Sequence, residues 1–118
     1  MEKNLYFTYW IKRYGIDNFK TITYKVCSKA KIPDEIKNSP DYNKDEFLFH
    51  YFWIVYCIIS FNYFGLNAEQ ISMCLDLGVA PGTCQIYSPS EVLEIQKDNI
   101  PYMLEFIKKD LELYSNNT

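Results

Sequence analysis

The chain holds a single histidine, His50, and it lies inside the most apolar stretch of the sequence. Most routes to general acid–base or nucleophilic catalysis would pass through this one imidazole. Cys57 follows seven residues later and shares its face if the segment is helical. At about 1.5 Å rise per residue the two backbones stand roughly 10 Å apart, whereas a nucleophile and its base must meet at about 3 Å. They form no dyad within one helix. Cys27, Cys74 and Cys84 would have to reach His50 through tertiary structure, and no spacing points that way. One histidine and four scattered cysteines without a short-spaced pair also make a poor zinc set. The expectation is a buried His50 with one nitrogen satisfied, and no catalytic, cofactor or metal residues.

Glu91, Glu94 and Asp98 share one helical face, with Lys97 beside them. Glycosidase-type chemistry needs carboxylates facing each other across a cleft, so a solvated stripe is expected instead. Four glycines make no phosphate-binding loop.

Two regions carry binding chemistry. Residues 1–32 hold Lys3, Lys12, Arg13, Lys20, Lys25, Lys29 and Lys31 against Glu2 and Asp17, a net of +5, and the remainder of the chain is −8. Opposed charged surfaces of this kind steer charged partners, unless they lie together and neutralise in the fold. In the basic third, Tyr6, Phe7, Tyr9, Trp10, Tyr14, Phe19 and Tyr24 alternate with the cations. Bases stack on aromatics while lysines follow the backbone, so this composition suits single strands. It equally suits an amphipathic helix laid on the apolar stretch with its lysines in water. The second region is an acidic loop and helix start, Asp34, Glu35, Asp41, Asp45 and Glu46, with Tyr42 in the middle and two prolines to stiffen it. These six residues are the expected partner contacts, fitted to a basic cleft.

The elements that position these groups are organised by residues 47–64, FLFHYFWIVYCIISFNYF, which carry no formal charge. Asn43 and Glu46 form a capping box in front of it. Eighteen residues is near the minimum for a bilayer span. Tyrosines spread along the run and His50 within it favour a buried central helix over a membrane helix, whose aromatics gather at its ends. Asn67 and Gln70 cap a second helix over 68–77. Ser88-Pro89-Ser90-Glu91 caps a third, which runs to about Asp98. Pro101 forces a kink or a fresh start, after which Met103, Ile107, Leu111 and Tyr114 form one stripe. Residues 4–14 and 17–30 read as helices broken at Gly15, although 21–26 alternates well enough for a strand. Residues 31–43 read as a long loop.

Residues 66–83, LNAEQISMCLDLGVAPGT, resemble the helix-turn-helix phrasing of DNA-binding regulators. Asp76 and Leu77 are inserted between Leu75 and Gly78, and Pro81-Gly82 occupies the start of the second helix. No Lys or Arg occurs from 45 to 96 to neutralise phosphate. A capped helix followed by a turn accounts for the segment.

At 118 residues the chain fits one domain, 1–118. The expected fold is mainly α, about five helices packed around the central aromatic-rich helix 47–64, with room for a minor β element at 21–26 or 83–87. The start MEKNLYFTYW lacks a basic-then-apolar leader, so a cytoplasmic protein with reduced thiols is expected. One arginine against eleven lysines, with abundant Ile, Asn, Lys, Tyr and Phe, is the bias of AT-rich coding DNA and suggests a bacterial, phage or mobile-element gene. The thin catalytic inventory favours a non-enzymatic protein that binds another protein. Its most specific form is an inhibitor, such as an immunity protein, antitoxin or phage counter-defence protein, covering the basic cleft of a toxin or nuclease. A nucleic-acid-binding or regulatory protein using residues 5–31 is the alternative, and an enzyme built on His50 ranks last.

Overall fold

The computed structural model describes residues 5–30, 32–67, 70–71 and 88–116, with side chains described between 9 and 112. In chain order these form α1 (Leu5–Tyr14), α2 (Ile16–Cys27), α3 (Asp34–Lys37), α4 (Lys44–Phe64), α5 (Pro89–Ile95), a 3-10 turn (Lys97–Asn99) and α6 (Ile100–Asn116). The fold is mainly α, and no strand occurs among the described residues.

α4 is the organising element. The Asn43 side chain accepts from the Glu46 backbone N–H at 2.9 Å, and left-handed Gly65 (φ 70°) closes the far end. Between those caps the helix is apolar all round, as expected of a helix covered on several sides. Nine of its residues are buried, Tyr51 and Tyr56 among them. By length and composition α4 is also a candidate bilayer span, with half of its most apolar window buried. It packs against α2, α5 and α6, and α1 packs on α2.

Trp10 of α1 is the centre of the aromatic core. It stacks on Phe19 at 5.9 Å and meets Phe52 edge-on at 5.5 Å and Tyr56 at 5.0 Å. Of the aromatics in the basic third, Trp10 and Phe19 are fully buried in the core, while Tyr24 is exposed.

The strand option at 21–26 is overturned. Phe19, Thr23, Val26 and Cys27 are the buried residues of α2, a spacing of three and four that lays one helical face on α4. Thr23 closes its hydroxyl onto the Lys20 carbonyl at 2.9 Å, so its β-branch is tolerated in the helix. The strand option at 83–87 lies outside the described residues.

Gly15 separates α1 from α2 with φ 86° and ψ 150°, a region open to glycine almost alone. The loop expected over 31–43 contains a short helix. Pro33 precedes it, Asp34 and Glu35 sit in its first turn, and Ile36 and Lys37 N–H both reach the Pro33 carbonyl. The helix expected from Pro89 to about Asp98 ends at Ile95, and the 3-10 turn carries the chain to a fresh start at Ile100. Pro101 then falls in the first turn of α6, where its missing N–H costs nothing. Asn67 and Gln70 exchange two backbone–side-chain bonds at 2.9 and 2.8 Å, the reciprocal box expected there. The rest of segment 68–77 and of the helix-turn-helix-like stretch lies outside the described residues.

Candidate functional site

The N-terminal turns of α4 and the chain before it enclose an open pocket of about 400 Å³. Glu46, Phe47 and His50 form its α4 wall, positions one and four apart that share a helical face. α3 contributes Glu35 and Ile36. The turn after α3 contributes Ser39, Asp41, Tyr42 and Asn43. That turn is fixed by its own bonds: Tyr42 N–H reaches the Ser39 carbonyl at 3.1 Å, and Asp41 N–H reaches Ser39 Oγ at 3.3 Å. Tyr42 and Phe47 face each other at 6.3 Å between centroids, tilted by 53°. Among the described residues no lysine or arginine lines the pocket.

Of the six expected partner contacts, Glu35, Asp41, Tyr42 and Glu46 come together here. Asp34 is exposed at the start of α3 and does not line the cavity. Asp45 turns the other way, accepting from the Tyr24 hydroxyl at 2.8 Å and pairing with Lys20 at 3.3 Å. The Tyr24 hydroxyl, then Lys20 and Lys44, hold its carboxyl below the usual range. Lys44 lies over the Tyr24 ring at 5.3 Å, on the α2 side. Lys20, Lys44 and Asp45 thus gather on the α2 side, while Glu35, Asp41 and Glu46 border the pocket.

His50 corrects an expectation. It is half-buried and lines the pocket rather than sitting in the core. The cause is helical phase: buried Leu48, Phe49, Tyr51, Phe52 and Trp53 face the bundle, while 46, 47 and 50 face α3 and its following turn. Among the described residues no three His, Cys, Asp or Glu side chains converge as a metal site. Cys27 and Cys57 are free thiols. Burial pushes the Cys27 thiol up to about 12 and raises Cys57 as well, which disfavours the nucleophilic thiolate. Cys74 and Cys84 lie outside the described residues.

A second polar cluster is not evident from residue types alone. Asp110 of α6 is 0% exposed. Its carboxylate accepts from Trp10 Nε1 at 3.0 Å, the Tyr56 hydroxyl at 2.8 Å and the Tyr14 hydroxyl at 3.3 Å. Arg13, the chain's one arginine, pairs with it at 2.7 Å and donates to the Tyr9 hydroxyl at 3.1 Å. Burial raises the Asp110 pKa above its ordinary value, against the pull of those four donors. Burial and then the Asp110 charge push the Tyr14 and Tyr56 phenols upward. Both carboxylate oxygens of this nest are matched inside the protein, so it ties α1, α4 and α6 together and presents nothing to a ligand. The signal that could reveal it is periodicity: Met103, Phe106, Ile107 and Asp110 fall on one helical stripe, which places a carboxylate on a buried face.

A smaller buried network joins α4 to the turn before α6. Gln96 donates to the Tyr51 hydroxyl at 2.9 Å and accepts from Asn99 at 2.8 Å.

No protein-family model, curated protein or solved structure matches the chain.

Proposed function

We propose that the protein acts by binding another protein, with the acidic pocket formed by residues 35–50 as the contact. The observation that carries this reading is the convergence of three carboxylates on a cavity whose turn is held by its own hydrogen bonds. Glu35, Asp41 and Glu46 border it, while Lys20 and Lys44 are drawn to the Asp45–Tyr24 side. A preformed acidic concavity speeds encounter with a basic partner and loses little ordering entropy on docking. In its finer form the protein is a cytoplasmic inhibitor of the immunity-protein, antitoxin or counter-defence kind, covering the basic cleft of a toxin or nuclease. Acidic net charge and an AT-rich composition support that form.

The nucleic-acid reading finds less support among the described residues. Trp10 and Phe19 are sealed in the core. Arg13 is committed to Asp110, Lys29 to Asp98 at 2.6 Å, and Lys25 to the Tyr102 ring at 5.0 Å. These two stacking platforms and three cations are engaged within the protein, whereas Tyr24 and Lys12 stay exposed.

The test is capture of a basic protein by the immobilised wild type, compared with an E35Q/D41N variant. Salt-sensitive retention by the wild type and its loss in the variant are expected. Retention unchanged by the variant, or salt-dependent binding to heparin in its place, would remove the reading.

A further inference from the structure

The geometry points to a guanidinium group, the side chain of a partner's arginine, as the occupant of the acidic pocket. This rests on the protein-binding reading above and narrows it to one ligand chemistry.

Charge favours a cation, since Glu35 and Asp41 border the cavity and, among the described residues, no lysine or arginine does. The walls choose between cations. Tyr42 and Phe47 present two tilted rings 6.3 Å apart, and Ile36 adds an aliphatic surface. A lysine ammonium is compact and strongly hydrated, so apolar walls strip water from it at a cost. A guanidinium is flat and weakly hydrated, stacks on aromatic faces and offers five donors to carboxylates. About 400 Å³ also exceeds one side-chain head group, leaving room for the stem and the backbone that carries it. The chain before α4 is held by the Ser39 and Pro33 turn bonds, so the walls stand before the ligand arrives.

A partner side chain, rather than a free metabolite, follows from the sign of the whole rim. A free amino acid brings its own carboxylate against Glu35 and Asp41, whereas a residue within a chain has none.

The experiment titrates full-length protein with N-acetyl-arginine amide and follows the NMR resonances of residues 35–50. Saturable shifts are expected with a dissociation constant on the order of 1 mM, the range for a single anchored side chain. N-acetyl-citrulline amide, which keeps the shape and loses the charge, should give none. N-acetyl-lysine amide and free arginine should each bind at least threefold more weakly, and E35Q/D41N should weaken the arginine probe by a similar factor. Tyr42→Leu should erase the preference for arginine over lysine. Equal shifts with the citrulline probe, or no saturation by about 50 mM, overturn the inference. Equal binding of free arginine overturns the partner as its source. Loss of the captured partner in E35Q/D41N without any arginine preference would sink this inference and leave the protein-binding reading standing. An arginine-selective pocket whose neutralisation leaves partner capture intact would do the reverse.

Discussion

The Trp10 indole donates to the Asp110 carboxylate at 3.0 Å, joining residues one hundred positions apart through the middle of the bundle. The same oxygen, Oδ2, accepts from Tyr56 at 2.8 Å, and its sister Oδ1 meets Arg13 and Tyr14. One carboxylate therefore fixes the relative placement of α1, α4 and α6. The aromatic pile around Trp10 is given a single register by a bond that apolar packing alone does not specify.

Removing that carboxylate should be costly. Asp110→Ala leaves Trp10 Nε1, two tyrosine hydroxyls and the Arg13 charge without this acceptor, all at least partly buried. A loss of about 3–5 kcal/mol is expected. Urea unfolding measures it. In the double variant R13M/D110L the unmatched charge disappears, so that protein should be more stable than D110A alone. Loss of less than about 1 kcal/mol in D110A would mean that the nest is incidental to stability.

Asp110 and Asp45 should respond to pH in opposite senses. Burial lifts Asp110 above its ordinary value, so the folded state holds that proton more tightly than the unfolded chain. Its contribution is complete below the unfolded value of about 3.9 and is lost as pH rises through the folded value. Asp45 is held low, first by the Tyr24 hydroxyl, so its contribution is present above about 3.9 and is lost as pH falls through its folded value. Unfolding of wild type, D110N and D45N between about pH 3 and about pH 7 separates them. The D110N deficit should shrink with rising pH while the D45N deficit grows. Parallel trends would contradict the assignment.

Sequence is most legible where the physics is local. Asn43, Asn67 and Ser88 cap helices because each side chain meets an N–H three residues on, and spacing alone reveals that. The central helix is legible because eighteen uncharged residues have no other home. Less legible is any feature set by tertiary phase. His50 sits in an apolar run yet faces a pocket, since the run turns through all directions and the cover on one side is only α3 and its turn. The alternation at 21–26 resembles a strand because two periods fit six residues, and the longer stripe from Phe19 to Cys27 decides it. Asp110 and Trp10 find each other across the whole chain, a pairing that no window of sequence contains. Asp45 belongs with its acidic neighbours in sequence, although its helical phase carries it to α2.

The two described glycines with positive φ differ in what a side chain would cost. At neither does any atom lie within 4 Å of where a Cβ would stand, so substitution tests backbone strain alone. Gly15 occupies φ 86°, ψ 150°, where other residues are almost never found, and Gly15→Ala should cost about 1–3 kcal/mol. Gly65 sits in the ordinary left-handed region at φ 70°, ψ 19°, so Gly65→Ala should cost about 1 kcal/mol. Thermal or urea unfolding that ranks them the other way would show that the α1–α2 break relaxes.

Ser60 offers the opposite outcome, a substitution that stabilises. Its hydroxyl is buried on α4 with no hydrogen-bond partner among the described residues. A buried hydroxyl left without a partner carries a desolvation penalty, and alanine removes both the group and the penalty. Alanine is also the better helix former in the middle of a long helix. The void left by one oxygen is small beside these terms, because the flanking Ile59 and Tyr56 are anchored elsewhere in the core. Ser60→Ala should therefore gain about 1 kcal/mol, read as a raised urea midpoint at unchanged slope. A loss of stability would mean that the hydroxyl is satisfied in solution, by water or by the Tyr56 carbonyl one turn back. That result would also add a third buried polar group to α4, beside the Tyr56–Asp110 and Tyr51–Gln96 bonds.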